Sequence, residues 1–201
     1  GIEFCDKDAI DTLNFLDVIG PQGGLLVVHS GTQYFKRSKD DVFSNLAMRD
    51  WSGIFQKPTW PGTADYRFAL VPHGKDFTNA DRFRAVEQFD QQPICVLEGL
   101  HSGRLARLRS FATIDSRGIL LSAFRSVGNG AYEARIIEQD GVTVSGKLTL
   151  DVPVGRYASC DLLGKALIPY KPVSNGVITQ SLTSWQIKTL RIEKDNIPGQ
   201  G

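Results

Sequence analysis

Apolar residues in this chain come in short runs separated by turn residues, and almost none of them recur at helical spacing. Leu25-Leu26-Val27-Val28-His29 follows Pro21-Gln22-Gly23-Gly24 and is stopped by Ser30-Gly31-Thr32. Similar runs occupy residues 43–48, 66–71 (closed by Pro72), 94–97, 119–124, 132–137, 142–144, 147–152, 157–162 and 185–192. Runs of β-branched, leucine and aromatic residues bounded by Gly, Pro, Asn and Ser predict strands. The last run sets Trp185 and Ile187 against polar neighbours, then shifts so that Leu190 and Ile192 carry the alternation. A slip between Thr189 and Leu190 places two residues where one is expected, which predicts a β-bulge. Gly128-Asn129-Gly130 predicts a tight hairpin turn, since such turns need positive φ at their central residues. Many short strands at this spacing predict an all-β chain of antiparallel β-sandwiches.

One stretch departs from that pattern. Residues 79–90 space Ala80, Phe83, Val86 and Phe89 three apart, which predicts one short helix with Asn79 as its N-cap. Gln91-Gln92-Pro93 then forms a hinge, so the expected domains are residues 1–92 and 93–201. The second has enough strands for a complete small sandwich. The first has too few to close its own sheet and is expected to be the end of a larger β domain.

Composition narrows the function classes. The 201 residues carry 23 Lys and Arg against 22 Asp and Glu, a net charge of +1, without the basic excess that holds nucleic acid by bulk charge. No apolar run is long enough for a membrane span, and residues 1–20 carry no basic segment followed by a long apolar one. Cys5, Cys95 and Cys160 are far apart and odd in number, which predicts buried free thiols in a reducing compartment and a cytoplasmic setting. No Asn-x-Ser/Thr site is present. The first residue is Gly1, so the expectation is a segment cut from a longer chain.

Residue chemistry by itself yields no active site. His29, His73 and His101 stand apart, without the spacing that converges ligands on a metal. Asp40, Asp41, Asp50 and Asp65 do not form a recognisable carboxylate pair, and no nucleophile elbow is present. Arg135 and Glu138, at the end of one predicted strand, are expected to form a surface ion pair. The sharpest cluster is Arg49-Asp50-Trp51-Ser52-Gly53 with Trp60-Pro61-Gly62. Indole faces stack on sugar rings while Arg and Asp bind hydroxyls; alternatively, both tryptophans fill a core beneath a long loop.

Several segments, in order, resemble the C-terminal region of glycoside hydrolase family 38, the zinc-dependent α-mannosidases. They are Gly24-Leu25-Leu26-Val27-Val28-His29-Ser30-Gly31, Asn45-Leu46-Ala47-Met48-Arg49-Asp50-Trp51-Ser52, and Tyr66-Arg67-Phe68-Ala69-Leu70-Val71-Pro72-His73, the most specific of the set. The helix running to Gln92-Pro93, the pair Ile119-Leu120-Leu121-Ser122-Ala123-Phe124-Arg125 and Ala134-Arg135-Ile136-Ile137-Glu138, and the closing Trp185-Gln186-Ile187-Lys188-Thr189-Leu190-Arg191-Ile192 complete it. The resemblance covers about residues 20–195.

The resemblance implies the end of a galactose-mutarotase-like supersandwich followed by a small C-terminal β-sandwich. It also implies a parent that hydrolyses α-mannosidic bonds with retention, with its nucleophile and zinc ligands in regions outside these residues. No catalytic or metal residue is therefore assigned, and no cofactor is expected in the chain itself. Substrate-contact candidates are Arg49, Asp50, Trp51, Trp60 and His73. The expected partners are the N-terminal catalytic domain of the same polypeptide and a mannoside substrate, with no nucleic acid and no membrane; an exposed sheet edge would allow a homodimer. The alternative is a freestanding carbohydrate-binding or structural β-sandwich module.

Overall fold

The computed structural model describes residues 8–40, 42–47, 62–99 and 102–194. The chain divides into two compact units, residues 2–95 and 96–201. Among the described residues the architecture is antiparallel β with one short helix, in line with the sequence patterning.

The first unit contains β1 (Ala9–Asp11), β2 (Phe15–Gly20), β3 (Gly23–Ser30), β4 (Tyr34–Arg37), β5 (Phe43–Asn45), β6 (Arg67–Gly74) and the helix α1 (Asn79–Asp90). Two three-stranded sheets result, ordered β1-β4-β5 and β2-β3-β6. Strand β6 does not stop at Pro72: the ladder runs on through Leu25↔Pro72 and Gly24↔His73. Among the described residues β6 is an edge strand paired with β3 alone, and an edge accepts a residue without an N–H where that position points away from the partner.

The helix begins one residue earlier than expected. Thr78, in extended conformation, is the N-cap; its hydroxyl accepts from the Asp81 amide at 3.3 Å, while the Asp81 carboxylate accepts from the Thr78 amide at 2.9 Å. This reciprocal capping box leaves Asn79 inside the first turn. The predicted apolar stripe holds, with Val86 in a small core with Leu26 and Val28 of β3. Phe83 meets Phe15 edge-on at 6.1 Å, so the helix lies on the face of the sheet that also carries Asp17.

The second unit contains β7 (Ala112–Ile114), β8 (Ile119–Gly128), β9 (Ala131–Glu138), β10 (Val144–Leu150), β11 (Arg156–Cys160), β12 (Lys171–Pro172), β13 (Val177–Leu182) and β14 (Ile187–Glu193). A sheet ordered β13-β10-β7 and one ordered β12-β11-β14-β9-β8 share a core. Leu148, Leu150, Ile178 and Leu182 come from the first, and Ile119, Ala134, Ile136, Leu190 and Ile192 from the second. Between β8 and β9, Asn129 (φ 51°) and Gly130 (φ 70°) make the predicted two-residue turn in the left-handed conformation of a type I′ hairpin.

Three expectations fail here. Among the described residues, the run 94–97 joins no sheet. Strand β14 has no bulge: its register is unbroken against β9 and β11 alike, and the shifts fall in β8 at Leu121/Ala123 and Ser126/Gly128. The change of alternation has another cause. Trp185 sits in the preceding turn at φ +58°, and Ile187 points away from the face that carries Leu190 and Ile192. Finally, the residues of the run 142–144 and most of the run 147–152 belong to one strand or its entry, β10.

Leu148 is fully buried, between Ile114 and Ile178 in its ladders. Leu148→Ala should therefore destabilise the second unit by about 2–5 kcal/mol through lost transfer energy and a residual cavity. Urea unfolding followed by tryptophan fluorescence measures this, with an unchanged m-value expected.

Candidate functional site

Of the sequence-derived contact residues, Arg49, Asp50, Trp51 and Trp60 lie outside the described residues. His73 lies within them, and a buried polar network surrounds it in the first unit. Its ring reaches from the edge strand β6 across the central strand β3 to Asp17 on β2. Nε2 lies 2.9 Å from Asp17 Oδ1, and Nδ1 lies 2.8 Å from the Gly74 carbonyl oxygen. The crossing is open because residue 24 is glycine: a Cβ there would stand 2.7 Å from the imidazole. Phe77 stacks on the ring at 4.3 Å.

The other Asp17 oxygen accepts from Arg82 Nε at 2.6 Å. Arg82 rises from α1, donates also to the Phe77 carbonyl at 3.0 Å, and lies with its guanidinium 5.5 Å from the Phe77 ring. The side chains of Asp17, His73 and Arg82 are only 6%, 4% and 7% exposed. Both nitrogens of His73 face acceptors, so the ring is held as imidazolium. Burial pulls its pKa down, but the bonds to Asp17 and Gly74 outweigh burial and raise it above the ordinary value. One carboxylate thus holds two cations and ties the helix to the sheet. Every oxygen and ring nitrogen in the triad is engaged, so its chemistry is positioning rather than nucleophilic attack or proton transfer.

His29, on the opposite face of β3, behaves differently. It is 1% exposed, packed at 5.0 Å against the Phe35 ring, and within 2.9 Å of Thr12 Oγ1. That hydroxyl donates to the Phe15 carbonyl, so His29 Nε2 carries the proton and Nδ1 is left without a hydrogen-bond partner. Burial lowers its pKa, against smaller opposing effects of the Thr32 backbone and Asp90.

In the second unit, carboxylates again organise distant strands. Glu138 is buried and accepts from the amides of Asp140 (2.8 Å), Gly141 (3.0 Å) and Trp185 (2.7 Å). Burial raises its pKa, but these backbone donors more than reverse that and leave it below the usual carboxylate range. The expected surface pair with Arg135 does not form. Residues 135 and 138 differ by an odd number and point to opposite faces of β9; Arg135 instead donates to Thr189 Oγ1 at 3.2 Å. On that outer face a ladder of charges crosses four strands. Arg125 binds Glu133 at 2.6 Å, Arg191 lies between Glu133 (3.7 Å) and Glu193 (3.1 Å), and Arg156 binds Glu193 at 2.7 Å. Tyr170 donates to Glu193 at 2.8 Å. Burial opposes ionisation of Glu193, and the Tyr170 and arginine donors overcome it to hold its pKa low.

Sequence patterning did not mark Asp17 or Arg82, and it assigned Glu138 to a surface ion pair rather than to a buried site. The available signal was an acidic residue inside an apolar strand, as in Phe15-Leu16-Asp17-Val18-Ile19 and Ala134-Arg135-Ile136-Ile137-Glu138. Zinc, which the family resemblance implies for the parent, finds no fitting donor set here: among the described residues, no three His, Cys, Asp or Glu side chains converge. His29 and His73 are each committed to separate neighbours on opposite faces of the sheet.

The fold is similar to the crystal structure of an alpha-mannosidase from Enterococcus faecalis V583, with a TM-score of 0.69 at 16% sequence identity. The match covers 94% of this chain and 22% of that one, so the chain spans about a fifth of the length of the protein it resembles. No protein-family model and no curated protein matches the sequence.

The histidines give opposite pH signatures. Stabilisation from His73 is complete below the ordinary pKa of 6.5 and is lost as pH rises through its higher folded value. His29 acts the other way: as pH falls below 6.5, the unfolded chain takes up a proton that the buried ring refuses, and stability drops toward the lowered folded value. Urea midpoints of the first unit should therefore fall as pH moves away from 6.5 in either direction. His73→Gln should flatten the fall toward higher pH, and His29→Gln the fall toward lower pH. Asp17→Asn, which leaves two buried cations unpaired, should cost about 3–5 kcal/mol.

Proposed function

We propose that this chain is the C-terminal β part of a retaining α-mannosidase of glycoside hydrolase family 38, a scaffold for an active site whose reagents lie elsewhere in a longer polypeptide. The observation that carries the proposal is the fold likeness to an alpha-mannosidase over 94% of the chain. The ordered family-like segments add to it, above all Tyr66-Arg67-Phe68-Ala69-Leu70-Val71-Pro72-His73. The strand from that segment carries the imidazolium that binds Asp17, which fits a role in holding shape rather than in reaction.

In the parent, a carboxylate nucleophile and an acid/base carboxyl would cleave the mannosidic bond, and zinc would bind sugar hydroxyls. Those groups belong to the partner, an N-terminal catalytic domain of the same polypeptide. This chain would contribute the residues 49–60, where Trp51 and Trp60 offer stacking faces and Arg49 and Asp50 offer hydroxyl partners. His73, both of whose nitrogens are engaged, would serve by holding its strand against β2 and the helix.

The isolated chain should neither cleave an aryl α-mannoside nor retain stoichiometric zinc after dialysis. Turnover that copurifies with the chain would overturn the scaffold assignment. Calorimetric titration with manno-oligosaccharides separates the alternative: specific binding that Trp51→Ala abolishes would show a freestanding carbohydrate-binding module.

A further inference from the structure

Residues 93–99, Pro-Ile-Cys-Val-Leu-Glu-Gly, combine two features that conflict within this chain. Their composition is that of a strand: four consecutive apolar residues, two of them β-branched, opened by proline and closed by glycine. Yet no hydrogen bond joins them to any other described residue, and Ile94, Val96 and Leu97 are 92%, 71% and 99% exposed. Cys95 between them is an exposed free thiol. The segment lies where the two units divide.

Neither ordinary outcome for such a sequence applies. A linker that needs no partner is polar or rich in Gly, Ser or Pro. An edge strand left open to solvent is normally protected by charge, by a bulge or by brevity. Here the apolar residues do not alternate with polar ones, and an unbroken apolar run is the pattern of a strand covered on both faces. The partner that fits is therefore an open sheet edge with apolar layers on either side. Backbone N–H and C=O groups would supply the affinity, as in other strand additions, and the side chains would fill both layers.

We propose that residues 93–98 add as a β-strand to such a sheet edge in the remainder of the longer polypeptide. This rests on the assignment made above: the similar alpha-mannosidase is a chain of which this one matches 22%, so most of its length is available to provide the edge. The strand is thereby a tie between the β part and the rest of the protein, separate from the residues 49–60 assigned to sugar contact.

Hydrogen exchange read by mass spectrometry tests this on two proteins, the 201-residue chain and the longer polypeptide. Amides of residues 94–98 should exchange freely in the short chain and be slowed on the order of 100-fold in the long one. Cys95 should likewise react with a thiol reagent in the first and resist it in the second. Val96→Pro, which removes one amide from a segment that makes no bond here, should leave the melting temperature of the short chain unchanged and abolish the protection in the long one. Free exchange in both proteins overturns the proposal, as does wild-type protection in the long polypeptide that persists in Val96→Pro. Protection that grows with concentration in the short chain also overturns it, by assigning the strand to a second copy. Assay of aryl α-mannoside hydrolysis on the same long polypeptide keeps the two conclusions apart: activity without protection rejects the strand alone, and protection without activity rejects the mannosidase assignment alone.

Discussion

A carboxylate carried from water into a protein interior loses several kcal/mol of solvation, and it remains charged only if donors replace the lost water with good geometry. Asp17, Glu138 and Glu193 all meet that condition, and each does so with donors from elements remote in sequence. Asp17 recruits His73 and Arg82, on a strand and a helix more than fifty residues away. Glu138 recruits the amide of Trp185, and Glu193 recruits Arg156 and Tyr170. Because each anion is costly to leave half-satisfied, the elements that serve it are fixed together. The network in the first unit also sets local sequence: the ring of His73 passes over position 24, where any side chain would block it.

This arrangement suits a scaffold. A reactive carboxylate needs a free oxygen and a pKa near the working pH, whereas here every described network carboxylate is saturated and Glu138 and Glu193 are held low. The histidines follow the same logic by opposite means. His73 is charged and doubly bonded, and His29 is neutral, half-bonded and enclosed. Neither is poised for exchange with a substrate. Function in the proposed parent would then come from the shape these units present to their partner and from the aromatic and charged residues between β5 and β6.

The segment 93–99 departs from this internal consistency. In several places local propensity and tertiary placement agree: the Asn-Gly turn adopts positive φ, and the apolar stripe of α1 meets Leu26 and Val28. Natural sequences avoid conflict between levels except where another requirement imposes it. An apolar strand former lying bare to solvent is such a conflict, and a partner outside the chain removes it.

Period and turn chemistry are local, and so the sequence by itself determined the class of fold, the one helix, the Asn129-Gly130 hairpin and most of the strands. It could not determine the helix cap, because Thr78 and Asn79 can both cap and only the backbone conformation of Thr78 and its exchange with Asp81 decide between them. It could not reveal that Pro72 lies inside a strand, since that depends on β6 being an edge. Nor could it join Asp17 to His73 and Arg82, or separate Arg135 from Glu138. Hydrogen bonds between distant residues depend on which strands become neighbours and on the register they take. Those are properties of the whole sheet, and no window of sequence contains them.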